Sequence, residues 1–265
     1  MKIGAQLFTL HDYTKTLEDF EETLKKVSEI GFKYVQVSGT CEFEPEWLKE
    51  KLEKYGLKCI LTHTAPQKLF EDAKKVCDDH TVFDCDYIGL GGMPRLWNFD
   101  EFTSDEVVDK FIEEYLPIME TFKENGKYLM YHNHHYEFAK MKNGNFMWDE
   151  LANRIPADLM GFTLDTYWIQ YGGKNPVKEI KKLAGRLPCV HFKDYAIIRK
   201  SPREESLQFA PVGSGNLDWD DIIPACEEAG VKYVLIEQDN CFGKDPFECL
   251  KSSFEFLKSK GLEVE

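Results

Sequence analysis

The chain has 265 residues, of which 33 are basic and 47 acidic, giving a net charge of −14. Its 43% hydrophobic and 14% aromatic content is that of a packed globular protein and excludes extended disorder. No run of about 18 apolar residues is present to span a membrane as a helix, and the acidic excess argues against a nucleic-acid partner.

The first predicted strand is Ile3–Thr9. Met1-Lys2-Ile3-Gly4-Ala5-Gln6 lacks the charged start and long apolar run of a signal peptide. Leu17, Phe20, Leu24, Val27 and Ile30 recur at helical spacing behind Thr16, an N-cap candidate with Asp19 three positions on. Tyr34–Ser38 reads as the second strand, and Pro45-Glu46-Trp47 opens a helix as proline opens a first turn. Lys58–Thr62 and Tyr87–Leu90 are the third and fourth strands. The fourth leaves through Gly89-Leu90-Gly91-Gly92-Met93-Pro94, which lets backbone approach a ligand but lacks a phosphate-loop pattern.

Ser104 is placed to cap the next helix, and Pro117 is expected to kink or divide it within Phe111–Lys123. Tyr128–His132, Gly161–Asp165, Cys189–Lys193 and Tyr233–Glu237 complete a set of eight strands. Most lack polar alternation, which suits parallel strands buried on both faces. Asn175-Pro176 and Asp245-Pro246 mark two further helix starts. Gly172–Pro176 and Tyr195–Gly215 read as long surface loops after the sixth and seventh strands.

A weak internal repeat runs through these elements. Glu29-Ile30-Gly31-Phe32-Lys33-Tyr34-Val35 is similar to Lys54-Tyr55-Gly56-Leu57-Lys58-Cys59-Ile60 and to Glu228-Ala229-Gly230-Val231-Lys232-Tyr233-Val234. Each reads as helix, glycine cap, short loop and strand. Eight such β-then-α units in this length predict a single-domain (β/α)₈ TIM barrel over residues 1–265. The alternative, an open doubly wound sheet, lacks a G-x-G-x-x-G or Walker loop after any strand. The eight cysteines form no C-x-x-C pair, so they are expected to be free thiols of a protein in the reducing cytosol.

The chemistry is read from the strand ends. The sixth, seventh and eighth strands terminate in Asp165, His191 and Glu237, and the fifth runs into His132-Asn133-His134-His135. Carboxyl ends of adjacent barrel strands share one mouth, and a carboxylate buried there needs a cationic partner. Buried ion pairs with Lys193 or an arginine would be one answer. A divalent metal held by Asp, Glu and one or two His is the other, and mixed oxygen and nitrogen donors suit Mn²⁺, Mg²⁺, Co²⁺, Fe²⁺ or Zn²⁺.

In these segments the chain resembles the sugar phosphate isomerase/epimerase superfamily, the xylose-isomerase-like TIM barrels. The resemblance spans essentially the whole chain. It rests on Tyr131-His132-Asn133-His134 with Glu137-Phe138, Leu164-Asp165-Thr166-Tyr167-Trp168, His191-Phe192-Lys193-Asp194, Pro211-Val212-Gly213-Ser214-Gly215 and Ile236-Glu237-Gln238-Asp239. It implies one divalent metal ion held by residues of the fifth to eighth strands, here His132, Asp165, His191 and Glu237. The family's fifth-strand ligand is glutamate, so His132 is a departure. His134 competes with it for that place. Epimerases of the family use two metal-bound glutamates as opposed bases, whereas only Glu237 remains here.

The resemblance therefore implies a metal-dependent sugar isomerase or epimerase acting through an enediolate. Alternatives are an inosose dehydratase-like lyase on a keto-sugar or cyclitol, and a non-catalytic sugar-binding barrel. Candidate acids and bases are Glu237, His134, Lys193 and His63, the last at the end of the third strand. Candidate substrate contacts are Gln6, Phe8, Gln36, Trp97 and Trp168, with Tyr167 and Gln238 beside them. The partner expected is a small carbohydrate, with no nucleic acid and no membrane, and the resemblance allows a homo-oligomer. Endonuclease IV-type chemistry, also found in this superfamily, would need more than the seven histidines present and a DNA-binding face.

Overall fold

In a computed structural model of the chain, residues 1–94 and 106–264 are described. Eight parallel strands close into a barrel: β1 (Lys2–Gln6), β2 (Tyr34–Val37), β3 (Lys58–His63), β4 (Tyr87–Leu90), β5 (Tyr128–His132), β6 (Met160–Asp165), β7 (Cys189–Phe192) and, after a hairpin, β10 (Tyr233–Ile236). β1 pairs with both β2 and β10, so no edge remains and the open-sheet alternative is excluded. Surrounding them are helices α1 (Leu17–Ile30), α2 (Pro45–Tyr55), α3 (Pro66–Val82), α4 (Glu106–Glu124), α5 (Met147–Arg154), α6 (Thr166–Tyr171), α7 (Pro176–Lys182), α8 (Trp219–Glu228) and α9 (Pro246–Ser259). Among the described residues, no helix is long and apolar enough to cross a membrane.

Local chemistry sets the helix ends. The Thr16 hydroxyl accepts from Asp19 N–H at 3.1 Å, and Asn175 and Asp245 cap α7 and α9 in the same way. The repeated glycine signal is a helix stop: Gly31 takes φ +118° and its N–H returns to the last turn of α1.

Three expectations change. The first strand ends at Gln6 instead of Thr9, because the Gln6 side chain accepts from Phe8 N–H at 2.8 Å and turns Leu7–Tyr13 into 3₁₀ geometry. The Tyr195–Gly215 loop is largely an antiparallel hairpin, β8 (Asp194–Ser201) with β9 (Glu204–Ala210). Tyr195 and Phe209 pair across it and pack their rings on Tyr167, which anchors its base. α4 is not divided at Pro117: it continues from Glu106 to Glu124, its face of Val108, Phe111, Tyr115 and Phe122 buried. Trp97 and Ser104 lie outside the described residues.

Inside the barrel, Leu61, Met130, Cys189 and Leu235 form a separate apolar cluster. They come from β3, β5, β7 and β10, and they plug the barrel beneath its mouth. Strand side chains alternate, so the next inward residue on each of these strands lies one layer above the plug. Those residues are His63, His132, His191 and Glu237.

Candidate metal centre

His132, Asp165, His191 and Glu237 each direct one ligand atom into a common point, with all four atoms within 4.8 Å of one another. None of the four residues is more than 4% exposed, so the donors are shut away from bulk water.

Their other atoms are committed elsewhere. Asp165 Oδ1 caps α6 by accepting from Trp168 N–H at 2.9 Å, and Asp165 N–H bonds Asn133 Oδ1 at 2.9 Å. Glu237 Oε1 accepts from Gln6 Nε2 at 3.0 Å. His191 Nε2 lies 2.6 Å from Gln36 Oε1, and His132 Nδ1 lies 3.3 Å from the Thr163 carbonyl. These partners orient the rings as second-layer groups orient metal-bound histidines.

What is left faces inward. Asp165 Oδ2, His191 Nδ1 and Glu237 Oε2 are buried and make no hydrogen bond. His191 Nδ1 and Glu237 Oε2 are nevertheless 2.9 Å apart. With Gln36 held on Nε2, Nδ1 is turned towards Glu237 Oε2, so that two buried carboxylates and two imidazoles converge on one point, an arrangement that a cation would fit. The donor set fits a hard or borderline divalent ion.

Lys193, two residues beyond His191 on the same face, brings its ammonium to the same oxygens. Nζ is 3.1 Å from Asp165 Oδ2, 3.0 Å from Glu237 Oε2 and 2.9 Å from Asp239 Oδ1. Thr166 fixes the lysine backbone, accepting from its N–H at 3.1 Å and donating to its carbonyl at 2.9 Å. Burial would raise the Glu237 carboxyl, but Lys193 and His191 outweigh it and hold it well below the ordinary range. Burial dominates at Asp165, which is pushed up to about 6 against the pull of Lys193. Lys193 itself, despite burial, is raised well above its usual value by Asp165, Glu237 and Asp239.

Burial disfavours the charged form of two further histidines near the centre. His63 and His134 are each lowered to about 3, chiefly by burial. The His63 ring is 5.4 Å from that of His132 and 5.8 Å from that of His191. Its Nδ1 meets Ser38 Oγ at 3.0 Å, while Nε2 is buried without a partner. His134 Nδ1 meets Tyr136 Oη at 3.1 Å, and its ring lies 5.2 Å from Trp168. The glycine-rich exit of β4 now has a reason: a Cβ at Gly91 would come within 3.2 Å of His63 Nδ1, and one at Gly92 within 2.4 Å of Tyr136 Oη.

Of the substrate contacts read from the sequence, Gln6 and Gln36 are tied into the centre. Trp168 lies beneath the Lys193 ammonium at 5.4 Å. Gln36 Nε2 and Trp168 Nε1 are buried donors without partners. Phe8, whose N–H is bonded to the Gln6 side chain, is 36% exposed and stacks on His11.

Three carboxylates stand in the segments quoted for the resemblance but were given no role there. Asp239 pairs with Lys193, and it lies two residues beyond Glu237. Glu137, fully buried and pushed up to about 7 by burial, accepts from Tyr131 Oη at 2.6 Å and His134 N–H at 3.0 Å, shaping the β5 exit. Asp194 gathers the Pro211–Gly215 segment around its carboxylate.

Comparison with known proteins agrees with this fold. A family model described as xylose isomerase-like TIM barrel matches residues 24–260. The chain belongs to that family. Inosose dehydratase from Clostridium perfringens is 23% identical over 91% of this chain and 90% of its own length. Inosose dehydratase from Clostridium beijerinckii is 26% identical, but the match spans 52% of this chain and only about half (49%) of that relative. Among solved structures, a sugar phosphate isomerase/epimerase from Parabacteroides distasonis superposes with a TM-score of 0.80, at 20% identity, covering 97% of this chain and 93% of that one. A xylose isomerase-like TIM barrel protein from Mycobacterium smegmatis, in complex with magnesium, gives 0.75 at 15% identity, covering 97% and 95%. At these identities the structural likeness speaks for the fold.

Proposed function

We propose that the chain is a divalent-metal-dependent enzyme that removes a proton beside the carbonyl of a keto-sugar or keto-cyclitol. The observation that carries this reading is the buried convergence of His132, Asp165, His191 and Glu237, whose ligand atoms lie within 4.8 Å of one another. His132, Asp165, His191 and Glu237 would hold the ion. Once bound, a divalent cation polarises a carbonyl and stabilises negative charge on an enediolate. The magnesium bound by the Mycobacterium smegmatis barrel supports the metal half of the reading.

The protein's own groups divide the remaining work. Glu237, kept ionised by Lys193, takes the proton. Lys193 Nζ holds a substrate oxygen as its charge grows. His134, whose Nδ1 lies 3.1 Å from Tyr136 Oη and whose ring lies 5.2 Å from that of Trp168, faces a second substrate oxygen. His63 Nε2 and the unpartnered donors of Gln36 and Trp168 bind hydroxyls. The barrel walls exclude water, which strengthens each of these contacts.

The fate of the proton separates two outcomes. Return to the neighbouring carbon isomerises the sugar. Loss of a β-hydroxyl, which takes up the proton carried by Glu237 and leaves as water, dehydrates it. The second outcome is favoured by a specific feature: histidine at 132 leaves Glu237 as the only glutamate in the ligand set, so an opposed two-glutamate epimerisation is not built here. The two inosose dehydratase relatives point the same way.

The test is to load the stripped protein with Mn²⁺ or Co²⁺ and incubate it in D₂O with keto-sugars and keto-cyclitols. Deuterium should enter beside the carbonyl, and an enone absorbance should appear where water is lost. Absence of exchange across the panel by a chain that binds about one ion would leave a non-catalytic sugar-binding barrel. Exchange that persists in the stripped protein would refute the metal role.

A further inference from the structure

We infer that Asp239 is a positioning residue that draws Lys193 off the metal ligands, so that the site can accept a divalent ion and keep its lysine. This rests on the metal reading above.

Lys193 Nζ is held on three sides by carboxylates, and two of them serve a second purpose. Asp165 Oδ2 and Glu237 Oε2, at 3.1 Å and 3.0 Å from Nζ, are the same inward oxygens that face the common point of the ligand set. Without a metal, the ammonium is their counter-cation. A divalent ion competes for those oxygens and repels the ammonium. Buried at 1% side-chain exposure, Lys193 cannot turn to water, and a buried ammonium without a partner is costly.

Asp239 resolves the conflict. Its Oδ1 is 2.9 Å from Nζ, it stands outside the ligand set, and it lies two residues beyond Glu237 at the rim, with its side chain 25% exposed. The ring faces of Trp168 and Phe209, at 5.4 Å and 5.8 Å from Nζ, complete a seat for the cation on the same side. The lysine can shift its weight to Asp239 while Asp165 and Glu237 turn to the metal. With Asp239 neutral, the lysine falls back on the ligands and competes with the ion.

The measurement is calorimetric titration of the stripped full-length chain with Mn²⁺ alone, so no substrate or turnover is needed. Five proteins are compared: wild type, Asp239→Asn, Asp239→Glu, Lys193→Met and the double variant of Asp239→Asn with Lys193→Met, with folding checked by circular dichroism. Asp239→Asn should weaken Mn²⁺ binding by about 10- to 100-fold, the range typical of groups that support metal ligands. In the Lys193→Met background, the same substitution should change affinity little, because the competitor is gone. Asp239→Glu should restore binding, since its carboxylate still reaches the ammonium.

An equal loss in both backgrounds would mean that Asp239 acts only through its charge at a distance, and would overturn the inference. So would no loss in either. A wild-type chain that takes up no Mn²⁺ would instead bring down the metal reading, a result distinct from binding without coupling to Lys193.

Discussion

Asp194→Asn probes the frame that holds the lysine in register. Asp194 is fully buried at the foot of the hairpin, immediately after Lys193. Its Oδ1 accepts from Tyr195 N–H at 2.8 Å and Leu217 N–H at 3.2 Å. Its Oδ2 accepts from Gly213 N–H at 3.0 Å, Gly215 N–H at 3.1 Å and Trp219 Nε1–H at 2.7 Å. An asparagine fits the space but has one acceptor oxygen. Its best orientation keeps that oxygen on the three-donor side, so the amide NH₂ faces the N–H groups of Tyr195 and Leu217. Each buried donor left without an acceptor costs about 1–3 kcal/mol, and the surviving bonds weaken as the charge is lost. The sum is about 4 kcal/mol, a large share of the stability of a typical domain. Urea unfolding followed by tryptophan fluorescence should show this loss, together with a melting temperature lower by about 10 °C. A stability change under about 1 kcal/mol would mean that water or a rearranged loop re-satisfies the donors, and the account of Asp194 as the knot of the 211–219 segment would fail.

Three further outcomes are expected. Glu237→Gln should leave the far-ultraviolet circular dichroism spectrum unchanged but lower turnover by about 10²–10⁴-fold, the range for loss of a general base; near-normal turnover would remove Glu237 from the mechanism. A strong chelator should abolish deuterium exchange, and stoichiometric Mn²⁺ or Co²⁺ should restore it, whereas unchanged exchange in protein shown to be metal-free by elemental analysis would contradict the site. His80, remote from the centre, is lowered to about 4 chiefly by burial, and sits between Thr62 Oγ1 at 2.8 Å and the Val76 carbonyl at 2.7 Å. A histidine neutral when folded but protonated when unfolded contributes stability that is complete above the unfolded pKa of about 6.5 and is lost as the pH falls towards 4. His80→Gln should flatten that part of the stability profile by about 1.4 kcal/mol per pH unit, and equal slopes for the two proteins in urea titrations would disprove the assignment.

The sequence by itself determined the barrel and most of the inward layer. Apolar runs of strand length, each fed by a helix and a glycine stop, record the repeating β-then-α unit in local order, and eight such units without a nucleotide-binding glycine loop favour the barrel over an open doubly wound sheet. The strand period of two also made the layer legible: His63, His132, His191 and Glu237 each follow a plug residue by two positions. The hairpin went unread because its strands are interrupted by charge (Arg199, Lys200, Arg203, Glu204 and Glu205), and only the cross-strand register, from Asp194 with Ala210 to Ser201 with Glu204, makes them a sheet. What the tertiary structure alone decided is which partners meet. Gln36 reaches His191 across 155 residues of chain, and Gln6 reaches Glu237 across 231. The three-carboxylate grip on Lys193 depends on the closure of β7 against both β6 and β10. Periodicity fixes which face a side chain takes, because that follows from backbone geometry within a few residues. The distance between two such side chains follows only from strand register and barrel closure, which no short window of sequence encodes.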